Sequence, residues 1–270
     1  MQFFGKSDTG MKRKENQDSF ITEQLYENAI LCLVCDGMGG ANGGSIASSL
    51  ACKDFVNHIK KKLSDIKQQD QLRFDGMNPE IEKLLTKSLT LTNTAVYKKA
   101  FKEKQLEGMG TTMVCALITD DKLYVANVGD SRLYFINGES ITQFTKDHSY
   151  VQTLVDLGQI TPEEAANNPH KNIITKAIGT QKKIEPDIYY KNLSETDCDM
   201  ILMCSDGLTN FVTDEDIHSL LKEHTDLESA CDALINKANE NGGGDNITAI
   251  LIKLDKMTSE KTSEETEEQK

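Results

Sequence analysis

The chain has 270 residues, a formal net charge of −13 and seven cysteines. That length suffices for a sizeable core, as one large domain or two small ones. The negative charge argues against nucleic acid or an anionic membrane surface as a non-specific partner and suits a protein that gathers carboxylates around cations. No stretch is long and apolar enough to span a bilayer, and the first six residues do not resemble a signal peptide. The cysteines are odd in number, scattered and mostly inside apolar runs, which predicts reduced core residues and a cytoplasmic protein.

Taken in order, residues 3–7 are predicted as a short strand and Asp8-Thr9-Gly10 as a turn. The polar loop that follows carries Arg13 and, five residues on, Asp18. A strand at 20–22 and a turn near Glu27-Asn28 lead to the apolar run 30–35. That run is short, partly β-branched and bounded by a breaker, so it reads as a buried strand. It ends in Asp36 and then Gly37-Met38-Gly39-Gly40, where glycines permit φ > 0 and a close approach of main chain to a ligand. Cys32 and Cys35 form a C-x-x-C, but residues three apart on a strand face opposite ways, so they read as core. Ile46, Leu50, Phe55, Ile59 and Leu63 are spaced for a helix over 45–63, closed by Lys60-Lys61-Lys62. Residues 64–78 read as a loop, and Pro79 opens a second helix to about Lys102.

Strands are predicted at 113–118, 122–128 and 132–136, with Asn137-Gly138 as a hairpin signal and a return strand at 140–144. This antiparallel meander disfavours a doubly wound parallel sheet. The pattern loosens over 145–185, with Asp147-His148-Ser149, a helical piece at 150–157 and a cap at Thr161-Pro162. A segment this long between strands reads as an active-site flap, against an insertion with no role. A buried strand at 200–204 ends in Ser205-Asp206-Gly207-Leu208, the same strand–Asp–Gly ending as at Asp36. Helices at 214–224 and 227–239 follow. A glycine-rich turn carrying Asp245 then feeds the last strand, 247–254. Residues 255–270 contain almost no apolar side chain and predict a disordered acidic tail, leaving 1–254 as one domain.

Four aspartates, Asp36, Asp130, Asp206 and Asp245, thus lie beside a glycine at the edge of a predicted strand. Strand edges are where a rigid scaffold presents functional groups. Crowded carboxylates repel and raise one another's pKa values, so four converging ones imply cations between them. Hard cations such as Mg²⁺ and Mn²⁺ prefer such oxygen ligands, and a pair of them can aim a bridging hydroxide at phosphorus. Arg13 adds a planar bidentate grip for phosphate oxygens. Each aspartate alone is equally well a turn cap, and Arg13 a solvated member of a basic patch. The set requires the same coincidence four times. No P-loop, nucleophile-elbow or H-E-x-x-H motif competes.

Arg13-x-x-Asn16-Gln17-Asp18, Asp36-Gly37-Met38-Gly39-Gly40, Gly110-Thr111-Thr112, Gly129-Asp130-Ser131-Arg132, Ser205-Asp206-Gly207-Leu208 and Asp245-Asn246 together resemble the ordered motif series of the type 2C metal-dependent Ser/Thr protein phosphatases. The single-domain length and the Met after Asp-Gly resemble the bacterial branch. The resemblance implies an α+β fold, a four-layer α-β-β-α sandwich of two antiparallel sheets flanked by helices. It implies Mn²⁺ or Mg²⁺ as cofactor, with two core ions and a weaker third. Asp36 would bridge the core ions, and the Gly37 carbonyl would join it on one. Asp206 and Asp245 would hold the other, and Asp18 would act through water. Asp130 with Asp206 would hold the third, and Arg13 would bind the substrate phosphate. The implied function is hydrolysis of phosphoserine and phosphothreonine in proteins by a metal-bridged hydroxide, opposing a bacterial Ser/Thr kinase. The partners would be phosphoproteins, that kinase among them, and the protein itself is expected to be a monomer.

The chain departs from the family at Gln17, where Glu is common, and at Met38, where many eukaryotic members carry a His proposed as the general acid. Met38 cannot donate a proton, which leaves metal-bound water or another residue, with His148 a candidate by position. Two other readings compete: a catalytically silent module on the same fold, and a two-metal phosphodiesterase.

Overall fold

The computed structural model describes residues 1–40, 43–68 and 76–255. The expected acidic tail lies outside them beyond residue 255, as do Ala41, Asn42 and residues 69–75 of the expected loop. The strands in chain order are β1 (Gln2–Asp8), β2 (Asp18–Tyr26), β3 (Ala29–Met38), β4 (Gly110–Thr111), β5 (Met113–Thr119), β6 (Lys122–Val128), β7 (Arg132–Ile136), β8 (Ile141–Gln143), β9 (Asp187–Asn192), β10 (Met200–Cys204) and β11 (Ile247–Lys253). The helices are α1 (Gly43–Gln68), α2 (Pro79–Lys102), α3 (Tyr150–Asp156), α4 (Pro162–Ala166), α5 (Asp206–Thr209), α6 (Asp214–Glu223) and α7 (Leu227–Glu240).

One sheet runs β1-β11-β10-β7-β8 and the other β2-β3-β5-β6-β9, with β4 paired to the end of β3. Every pairing is antiparallel. Side-chain alternation along β3 explains how the layers join. Ile30, Cys32 and Val34 point into the layer between the sheets, where they meet Val114, Ala116, Ile201, Met203, Ile250 and Ile252. Leu31, Leu33 and Cys35 point the other way, onto Phe55, Ile59 and Leu63 of α1 and Leu85 and Leu89 of α2. On the far side Leu202, Cys204, Ala249 and Leu251 pack against Ile217 and Leu221 of α6 and Leu234 and Ala238 of α7. The result is the expected α-β-β-α sandwich. A strand covered on both faces reads as a continuous apolar run, which is why 30–35 shows no alternation. Each such fully buried side chain contributes about 1.5–3 kcal/mol. Cys32 and Cys35 fall in different layers, as the period-two argument requires.

Several boundaries differ from expectation. α1 runs on to Gln68, through residues read as loop. β3 does not stop at Asp36 but continues to Met38, because Gly37 and Met38 pair with Thr111 and Gly110. Asp206 opens a four-residue helix, α5, in place of a simple turn. β9 was not anticipated at all: Asp187–Asn192 is half-buried throughout and pairs only with β6, so it carries little apolar signature. Among the described residues, no helix is long and apolar enough to cross a membrane.

Candidate metal centre

Asp18 opens β2 directly opposite Asp36 on β3, so their side chains share one face of the sheet. The second sheet delivers Asp206 just after β10 and Asp245 just before β11. The β6–β7 turn delivers Asp130. Backbone hydrogen bonds fix Asp36 from the neighbouring strand. Its N–H donates to Thr112 Oγ1 (2.9 Å), and its carbonyl accepts from Thr111 Oγ1 (2.8 Å) and from Thr112 N–H (2.8 Å). Thr112 Oγ1 in turn stands 2.7 Å from Ser131 Oγ, linking the Asp36 corner to the residue after Asp130.

The carboxyls are placed close together, with Asp18 and Asp130 buried and Asp36, Asp206 and Asp245 half-buried. Burial is the first cause that raises the Asp36 carboxyl well above the usual range, followed by the charges of Asp18, Asp206, Asp130 and Asp245. Burial pushes Asp18 up to about 7, with Asp206 and Asp245 adding to it against hydrogen bonds from Thr248 and Ser205. Asp130 is raised by burial and then by Asp206 and Asp147. Asp206 is raised by burial and then by Asp245, while its hydrogen bonds with Asp36 and Asn210 act the other way. The five sequence-predicted aspartates are thus one electrostatic cluster.

The fit to a divalent ion shows in individual atoms. Asp18 Oδ2 accepts from Ser205 Oγ (2.7 Å) and Thr248 Oγ1 (2.6 Å), and Asp206 Oδ2 accepts from Asn210 Nδ2 (2.8 Å). The other oxygen of each, Asp18 Oδ1 and Asp206 Oδ1, is buried without a hydrogen-bond partner. Two ionised carboxylates about 4 Å apart repel by about 4 kcal/mol at an effective dielectric of 20. A charged hydrogen bond returns about 1.5–3 kcal/mol, but the bonds from Ser205, Thr248 and Asn210 reach only Asp18 and Asp206, while Asp36 faces four neighbouring carboxylates. A cation among them would offset that crowding. Among the described residues no group of three or more His, Cys, Asp or Glu side chains is placed to hold a metal ion by itself. A Mg²⁺ or Mn²⁺ site built from a few carboxylates and several waters does not need one.

Arg13 reaches the rim of this cluster, with Nη2 2.8 Å from Asp245 Oδ2 and its side chain 53% exposed. Its loop is sewn to the Asp245 turn. Met11 N–H donates to Gly243 O (2.8 Å), and Asn246 accepts from Gln17 N–H (2.9 Å) while donating to Thr9 O (2.9 Å) and Glu15 O (3.0 Å). Arg132 has its guanidinium committed to Asp147 at 2.8 Å, with Nη1 2.9 Å from Tyr134 Oη. His148, a candidate acid by position, is not among the carboxylates. Gly129 N–H donates to its Nδ1, and its Nε2 faces Lys176 and Asp187.

The glycines of the two Asp-Gly corners serve space rather than a left-handed backbone. A Cβ on Gly37 would collide with the carbonyl oxygens of Gly44 and Gln17, and one on Gly207 with that of Asn246. Gly37→Ala is therefore expected to lower stability by about 1–3 kcal/mol through overpacking. At about 2–4 °C per kcal/mol for a domain of this size, a thermal melt resolves that loss. An unchanged Tm would refute the packing argument.

Sequence reasoning missed Ser205, Thr248 and Asn210 as supports of the cluster. The available signal was a hydroxyl residue directly after the apolar run 200–204 and another inside the run 247–252; the structure buries both fully.

The comparisons agree with this geometry. Residues 11–251 match the family model described as Protein phosphatase 2C. The chain is 35% identical over 252 residues to a protein of Listeria welshimeri called Serine/threonine phosphatase stp, covering 93% of this chain and 95% of that one. It is 34% identical over 255 residues to Protein phosphatase PhpP of Streptococcus pneumoniae, covering 94% and 98%. The crystal structure of Serine/threonine phosphatase Stp1 from Staphylococcus aureus superposes with a TM-score of 0.83 at 36% identity, covering 94% of this chain and 95% of that one. The motif series, the paired sheets and the aspartate cluster agree with these matches, and the chain belongs to the protein phosphatase 2C family.

Proposed function

We infer that this aspartate cluster is the catalytic metal centre and that the protein dephosphorylates phosphoserine and phosphothreonine in signalling. The family consists of metal-dependent Ser/Thr protein phosphatases, and the chain is a metal-dependent hydrolase of that kind. One observation carries the reading of the centre: two buried carboxylate oxygens, Asp18 Oδ1 and Asp206 Oδ1, have no partner within the cluster. Asp36 with the Gly37 carbonyl, and Asp206 with Asp245, would hold two Mn²⁺ or Mg²⁺ ions. Asp130 with Asp206 would hold a weaker third, and Asp18 would act through water. Bound there, such ions activate water and neutralise charge developing on a phosphoryl group. The protein's own part is to orient and exclude. Thr111 and Thr112 hold Asp36, Ser205 and Thr248 hold Asp18, and Arg13 at the open rim is placed to grip phosphate oxygens.

Residues 1–254 form the catalytic domain in this reading, with 145–185 as its flap. A Ser/Thr kinase as opposing partner and as substrate, a monomeric state and a cytoplasmic location complete it. The location is supported by seven cysteines free of disulfides. The test is hydrolysis of a phosphothreonine peptide by chelator-treated protein with Mn²⁺ or Mg²⁺ restored, beside Asp206→Ala and a phosphodiester substrate. Metal-dependent monoester turnover that the substitution removes is the expected result. Equal turnover by the variant, or preference for the diester, would overturn the assignment.

A further inference from the structure

His148 is only 8% exposed and sits where three separate segments meet. It exchanges backbone hydrogen bonds with two of them: its N–H donates to Gly129 O (2.9 Å), and its carbonyl accepts from Thr175 N–H (2.7 Å). The ring repeats the pattern. Gly129 N–H donates to Nδ1 (3.1 Å), so Nδ1 is unprotonated and the ring hydrogen resides on Nε2. Nε2 points at Asp187 Oδ1 (3.2 Å) on β9, with Lys176 Nζ 3.1 Å from the same nitrogen and 3.2 Å from the same carboxylate oxygen. Both ring nitrogens are therefore engaged, which removes His148 as an acid towards a leaving group.

What the ring holds is the Val128–Gly129 peptide, through Gly129 N–H, while the next peptide, Gly129–Asp130, is held by the His148 backbone N–H. Gly129 has φ +109, a conformation open to glycine alone. A Cβ there would also strike the side chain of Thr112, the residue that holds the Asp36 N–H. Gly129 is thus packed against Thr112, with its N–H held by the imidazole and its carbonyl by the His148 N–H, and Asp130 is the next residue. On the other side, His148 begins the stem of the expected flap. Ser149 bridges to Ile174, and Tyr150 N–H donates to Ile173 O (2.7 Å).

We propose that His148 is a positioning residue of the metal centre. Its Nδ1 fixes the Val128–Gly129 peptide and, through Gly129, the stance of the Asp130 carboxylate, and the Lys176–Asp187 pair at Nε2 ties that stance to the base of the flap. This rests on the reading of Asp130 as a ligand of the third ion. Groups that orient a metal ligand typically change affinity by about 10–100-fold when removed.

The experiment titrates Mn²⁺ into chelator-treated full-length protein by calorimetry and follows phosphothreonine-peptide hydrolysis against Mn²⁺ concentration, for His148→Asn, His148→Gln, His148→Ala and Asp130→Asn. Asn presents an acceptor near the Nδ1 position, and Gln presents one near Nε2. The weakest Mn²⁺ binding event is expected to weaken about 10–100-fold in His148→Gln and His148→Ala, as in Asp130→Asn, with the tighter events unchanged. His148→Asn is expected to recover to within a few-fold of the parent. Should His148→Ala not fold, the Asn–Gln contrast decides. Equal binding by Asn and Gln variants, with Asp130→Asn impaired, overturns the role of His148 alone. Unchanged binding in Asp130→Asn overturns the reading of Asp130 and the role of His148 with it.

Discussion

Asp36→Asn is expected to remove phosphatase activity by about 10³-fold or more at saturating Mn²⁺, on the scale seen when one preorganised electrostatic group is lost, and also to raise the melting temperature of the chelated protein. The two effects have one cause. Asp36 lies in the middle of the cluster, and its carboxyl is pushed well above its ordinary range by burial and then by four neighbouring carboxylates. Without a cation that charge only repels. Asn keeps the shape and removes the repulsion. The main-chain bonds from Thr111 and Thr112 that hold the corner do not involve the side chain and persist. A destabilised functional site is the usual reason that a loss of activity brings a gain in stability. Peptide hydrolysis and scanning calorimetry in chelator are the measurements. Activity within tenfold of the parent, or a lower Tm in chelator, would show that Asp36 is not the centre of a cation site.

How far the sequence reveals this site depends on the range of each contact. The Asp-Gly corners are local signals: an apolar run stops and a carboxylate appears. The family pattern then names Asp18, Asp36, Asp130, Asp206, Asp245 and Arg13, and the structure brings all six together. The boundaries were harder to read. Nothing local shows that Gly37 and Met38 continue β3, because their partner β4 lies more than seventy residues away. β9 was invisible because an edge strand with half-buried positions, Asp187, Lys191 and Asn192 among them, has no continuous apolar run. The supports of Asp18 are further out of reach. Thr248 is 230 residues from it and Ser205 is 187 away, so only the fold reveals that their hydroxyls converge on one carboxylate oxygen. His148 shows the same limit. Its position at the head of the loose segment suggested acid chemistry, and only tertiary structure shows its Nδ1 accepting from Gly129.

The chelated protein is expected to lose stability as pH rises from about 5 to 7.5, and Mn²⁺ is expected to reverse that slope. The sign follows from linkage. A carboxyl whose folded pKa is raised binds its proton more tightly when folded. Its contribution is full below the unfolded value of about 3.9 and is lost as pH rises through the folded value. For Asp18 the folded value is about 7, which places the loss inside the window, and Asp36, Asp130 and Asp206 are shifted in the same direction. The shift at Asp18 alone corresponds to a few kcal/mol, on the order of 4 at most. Opposing groups are few. His148, lowered by burial and Lys176, gains stability as pH rises through its unfolded value of about 6.5, but it is a single group. Asp156, Glu163 and Asp187 are lowered, and their contributions are lost only as pH falls below about 4, outside the window. Cations compete with protons for the same oxygens, so they bind best where the protons are gone. At a hundred times the dissociation constant a bound ion stabilises by about 2.7 kcal/mol. The Mn²⁺-induced rise in Tm is therefore expected to be large at pH 7.5 and small at pH 5. Melts across pH 5–8 with chelator or with Mn²⁺ measure both slopes. A flat or rising Tm in chelator, or an equal Mn²⁺ shift at both ends, would mean that these carboxylates do not share their protons with a metal.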